Sequence, residues 1–194
     1  MIPEDARYNG YILRPLVTAL ATEAGRAPRL VHVLQRPGPQ GYEAAVAWIQ
    51  NRLEDYATYQ LSLFLPDRDG HDGKEGRSNR EAALAALERS ARSKGQWLLC
   101  CAAIEELETW LMCGHPTKLR EMGTTVSDVQ AARKPSEHVF PQFLARYGDQ
   151  SVGEGREALA LDGFAGVTGL TQRCPELAKL LERIRIGDGR PETK

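Results

Sequence analysis

Apolar residues at Ile12, Leu16, Val17, Leu20 and Ala24 fall on one stripe at three- and four-residue spacing. That period predicts a helix over 11–24, with Gly25 as its stop. Leu30 to Leu34 reads as a short strand, and Pro37-Gly38-Pro39 breaks the chain. Helical spacing returns over 41–56, where Ala45, Trp48, Ile49 and Leu53 share a face. Tyr59 to Leu65 then predicts a second strand. The polar stretch Asp69 to Ser78, with Gly70, Gly73 and Gly76, predicts a mobile loop. Asn79 to Lys94 predicts a helix capped by Ser78 or Asn79 and ended by Gly95. Trp97 to Ala103 is apolar throughout, as a central parallel strand is. Strands alternating with helices of crossover length predict an α/β fold, a mostly parallel sheet flanked by helices.

After Gly114-His115-Pro116 the pattern changes. Segments shorten, Pro and Gly become frequent, and the long amphipathic stretch is Pro175 to Ile184, with a shorter candidate at Val139 to Tyr147. The expected organisation is an α/β domain over 1–114, a helical extension packed on it over 115–187, and a disordered tail over 188–194.

Composition narrows the class. The 194 residues are 42% hydrophobic and 26% charged, as in a globular protein with one main core. A net charge of −1 gives no global basic field for nucleic acid, although a local patch or a bound cation would serve the same end. No apolar run approaches the roughly 20 residues that span a membrane. The four cysteines form no Cys-x-x-Cys pair, which reads as buried reduced thiols and a cytoplasmic location. Cys113 and His115 lack two further well-spaced ligands for zinc.

The candidate chemistry lies at the strand ends. In Leu65-Pro66-Asp67-Arg68-Asp69-Gly70, two carboxylates one residue apart point the same way from the end of a strand. In open α/β sheets that edge binds ligands, and convergent carboxylates there suit a hard cation such as Mg²⁺ or Mn²⁺. A solvated turn after a core strand is the plain alternative. The second core strand ends in Ile104-Glu105-Glu106-Leu107-Glu108, whose acids would reach the same edge. Acids also suit a helix N-terminus on dipole grounds alone.

Several familiar motifs fail on spacing. Gly70-x-x-Gly73-Lys74-Glu75 is too short for a Walker loop. As a calcium loop starting at Asp67, the chain has Asp72 where Gly belongs and Ser78 where Glu belongs. Haloacid-dehalogenase phosphatases carry Thr or Val after the Asp-x-Asp-Gly, where this chain has His71.

Glu4, followed by Asp67-x-Asp69 after a later strand, resembles the layout of Toprim-like domain proteins. The chain is most similar to the small members related to the nuclease half of overcoming-lysogenization-defect enzymes. The likeness extends to Ala103-Ile104-Glu105-Glu106-Leu107-Glu108-Thr109-Trp110-Leu111, to Lys134-Pro135, to Tyr147-Gly148 and to Arg173-Cys174-Pro175-Glu176-Leu177. Only Met1-Ile2-Pro3 precede Glu4, where the family has a longer strand; either the start lies further upstream or that strand is vestigial.

The resemblance implies a Toprim-type, Mg²⁺- or Mn²⁺-dependent nuclease acting on DNA or RNA, in bacterial anti-phage defence beside an ATPase partner. Glu4, Asp67 and Asp69 would hold metal, and Glu108, or Glu105 after it, would hold a second ion or act as base. Lys134, or one of Lys74, Arg77 and Arg80, would neutralise transition-state charge. The alternative is a non-catalytic Toprim-like subunit that regulates an ATPase.

Overall fold

Ser62–Phe64 (β1) and Leu98–Cys100 (β2) pair in parallel, with Ser62 opposite Leu98 and Phe64 opposite Cys100. The computed structural model in which they are seen describes residues 1–2, 9–26, 31–34, 41–56, 58–68, 73–149 and 153–190. Isolated parallel bridges extend the pair: Ile2 pairs with Phe64, and Asp67 with Ala103. The Leu34 N–H donates to Met1 O at 2.9 Å, which sets residues 31–34 alongside the N-terminal residues.

Among the described residues the remaining regular structure is helical. Before the pair come α1 (Asn9–Glu23) and α2 (Tyr42–Arg52), the latter running into a 3-10 turn at Leu53–Tyr56. Between the strands lies α3 (Gly73–Ser93). After β2 come α4 (Leu107–Cys113), α5 (Pro116–Glu121), α6 (Val126–Ala131), α7 (Pro135–His138) and α8 (Phe140–Tyr147). The last three are α9 (Arg156–Phe164), α10 (Val167–Arg173) and α11 (Pro175–Ile186). No helix among the described residues is long and apolar enough to cross a membrane.

Successive residues of the strands alternate between faces. Leu63, Leu65, Leu99 and Cys101 join a core built with α1, α4 and α8–α11. Ile2, Phe64, Leu98 and Cys100 join a second cluster with α2 and α3. The first core crosses residue 114 without a break, because Ile12, Leu13 and Leu16 of α1 share it with Leu159, Ala160 and Phe164 of α9. The far end is tied in as well. Trp97 Nε1–H donates to Asp188 O at 2.7 Å, and Arg183 grips both oxygens of Glu88 at 3.0 and 2.7 Å. Residues 191–194 of the expected tail lie outside the described residues.

The expectation of a mostly parallel sheet flanked by helices is therefore corrected. Among the described residues there are eleven helices and two strands of three residues each. An apolar run records burial, not the length of backbone pairing. Pro66, which has no N–H, follows β1 closely, and the chain turns at Glu105 soon after β2. Residues 31–34 of the predicted first strand are not strand. The predicted loop over 69–78 is also revised, because α3 begins at Gly73. In the C-terminal part, the frequent prolines stand in first helical turns, at Pro116, Pro135, Pro141 and Pro175. There the missing N–H costs nothing.

Candidate functional site

The parallel register carries both acidic segments to one edge. Beyond β1 and β2 the ladder continues, with Ala103 N–H donating to Pro66 O at 3.0 Å and Arg68 N–H to Glu105 O at 2.9 Å. Glu105 adopts a left-handed backbone, φ 62°, which costs a non-glycine residue about 1–2 kcal/mol. The Arg68 bond holds it there. One residue on, the chain enters α4.

Asp67 closes the corner. Its Oδ1 accepts the Leu107 N–H at 2.8 Å, satisfying one of the orphan donors at the start of α4. Its carbonyl accepts Arg80 Nη1–H at 2.7 Å, and the Arg80 guanidinium lies 4.1 Å over the Tyr42 ring. Arg68 pairs with Glu81. Glu106 spends both carboxylate oxygens on Ser136, accepting its N–H at 2.6 Å and its Oγ–H at 2.7 Å. Glu108 is partly buried; burial holds its pKa above the ordinary carboxylate range, with the Glu106 charge adding and Arg156 opposing.

Asp67 and the Glu105–Glu108 segment are thus brought together. Lys134 has a left-handed backbone, φ 51°, and its ammonium lies 2.5 Å from Glu137 rather than on the acids. Glu4 and Asp69 lie outside the described residues, as do the side chains of Lys74 and Arg77. Among the described residues no three His, Cys, Asp or Glu side chains converge to hold a metal ion. Asp67 and Glu108 are oxygen donors of the kind a hard cation takes.

Sequence reasoning missed two links. It did not assign the Glu106–Ser136 grip, although an acid directly before the apolar start of a helix was the available signal. It also did not foresee that Asp67 caps α4, since donor and acceptor are 40 residues apart. His115, weighed above as a zinc ligand, is buried and bonded through Nε2 to Leu159 O. Comparison with protein families, with curated proteins and with solved structures finds no match.

Proposed function

We propose that the protein hydrolyses phosphodiester bonds of nucleic acid with a divalent cation at the edge formed by Asp67 and the Glu105–Glu108 turn. One observation carries the reading: the parallel register delivers Asp67 to within a hydrogen bond of the segment that bears Glu105 and Glu108. The likeness of the same two segments to Toprim-like nucleases supports it. Asp67, Asp69 and Glu4 would hold Mg²⁺ or Mn²⁺, which supplies charge stabilisation for the attacking and leaving oxygens. Glu108, a carboxyl whose pKa burial raises, is suited to exchange a proton with the reacting oxygens. Arg80, braced by the Asp67 carbonyl and Tyr42, supplies fixed positive charge beside the acids. Lys134 would have to leave Glu137 to contribute.

A second reading has its own observation. Asp67 Oδ1 and both Glu106 oxygens already join β1, α4 and α7, as befits a structural edge in a non-catalytic subunit that regulates an ATPase.

Incubation with supercoiled DNA, single-stranded DNA and total tRNA in Mn²⁺, with and without an ATPase partner and ATP, separates the two. Asp67→Asn and Asp69→Asn should each abolish cleavage while the fold persists. Wild-type protein that cuts none of these substrates would sink the nuclease reading.

A further inference from the structure

His115 sits at the start of α5, buried to 6% exposure between α5, α8 and α9. Its two ring nitrogens are chemically assigned by their partners. Leu159 O, 2.8 Å from Nε2, can only accept, so Nε2 carries the hydrogen. The Lys118 ammonium, 3.2 Å from Nδ1, can only donate, so Nδ1 is the bare acceptor. The ring is therefore a neutral imidazole in a single tautomer. Lys118 also donates to Asp162 Oδ2 at 2.7 Å, so one ammonium joins His115 on α5 to Asp162 on α9.

The ring has no room to turn. A methyl group at Gly163 would meet His115 Nε2 at 2.7 Å, and Phe143 of α8 packs 5.7 Å from the ring between centroids. The ionisable groups facing this junction are Lys118 of α5, Asp162 of α9, and Tyr147 of α8, whose hydroxyl lies 3.0 Å from Lys118 O and 2.8 Å from the Glu121 carboxylate.

We propose that His115, Lys118 and Asp162 form a proton-operated latch between α5 and α9, in which a proton on Nδ1 displaces the lysine ammonium. A proton there sets a second cation 3.2 Å from Nζ, and the nitrogen that accepted from Lys118 must now donate. The acceptor nearest to hand is Asp162 Oδ2, 3.6 Å from Nδ1, which is Lys118's own counter-ion. Neutral ring with lysine engaged and charged ring with lysine expelled are two alternative occupancies of one carboxylate.

The titration has a definite sign. Burial, joined by the Lys118 charge, holds the His115 pKa below its ordinary value near 6.5, against the Leu159 bond and Asp162. The folded form then binds the proton less readily than the unfolded chain. The latch is intact above the unfolded imidazole's pKa of about 6.5 and fails as the pH falls through the lower folded-state value.

The test is a nitrogen-detected NMR titration of the four histidines, with His115 assigned by its loss in His115→Gln. In wild type the ring should show the Nε2–H tautomer and a pKa below the ordinary imidazole value near 6.5. Lys118→Met should raise that pKa, since a neighbouring cation is gone. Amide exchange, corrected for intrinsic rate, should lose protection in α9 on passing from pH 7.5 to below the His115 pKa that the titration reads, with β1 and β2 unchanged. Lys118→Met, which has no ammonium to expel, should remove that pH-dependent loss, which keeps the test valid if His115→Gln fails to fold. A Nδ1–H tautomer, a His115 pKa unmoved by Lys118→Met, or equal protection of α9 on both sides of the His115 titration would overturn the latch.

Discussion

Asp67 carries two demands at once, one from the start of α4 and one from the proposed chemistry, and substitutions can separate them. Asp67→Ala leaves the Leu107 N–H without its acceptor and should cost about 1 kcal/mol. Asp67→Asn keeps an oxygen for that N–H and should cost less than half as much, as urea unfolding would measure. Equal losses would mean that the cap contributes nothing. Glu108 makes a prediction with a pH signature. Its folded-state pKa is raised, mainly by burial, so the folded form is penalised for ionising it at neutral pH and not in acid. Glu108→Gln should therefore stabilise the protein at pH 7 in chelator and change little at pH 4. The check is the midpoint of thermal unfolding at the two pH values.

Among elements, the junction of α4 and α5 with α9 depends on glycine. A methyl group at Gly114 would meet Gly163 O at 2.9 Å, and one at Gly163 would strike the imidazole. Gly163→Ala gains roughly 1 kcal/mol of helix propensity but forces overpacking that costs about 1–3 kcal/mol. The net should be destabilising, seen as a lower denaturant midpoint with an unchanged slope. The elements also differ in how far they could be read from the chain. The stripe of Ile12, Leu16 and Leu20 announced α1, and Leu177, Leu180 and Ile184 announced α11, because each is long enough to show its period. The short helices α5 to α7 show too little of a repeat, and the leading prolines of α5 and α7 imitate loops. The meeting of Asp67 with the Glu105–Glu108 segment followed from reading both apolar runs as parallel and adjacent. The grip of Glu106 on Ser136 depends on a partner 30 residues away, which no local spacing encodes.

For the whole molecule, the pairing of α1 with α9 has a consequence in time. The apolar face of α1, with Ile12, Leu13 and Leu16 fully covered, is closed by residues more than a hundred positions later. Arg185 near the end of α11 reaches back to Glu23 O, and Arg26 to Ile184 O, so the opening helix is sealed by the closing one. A ribosome adding roughly 5–20 residues per second needs on the order of ten seconds to supply that cover. During this interval the nascent chain presents a greasy helix with no mate, a ready client for a chaperone. A ribosome stalled before α9 would hold a product prone to aggregate, whereas a chain released after α11 is able to close.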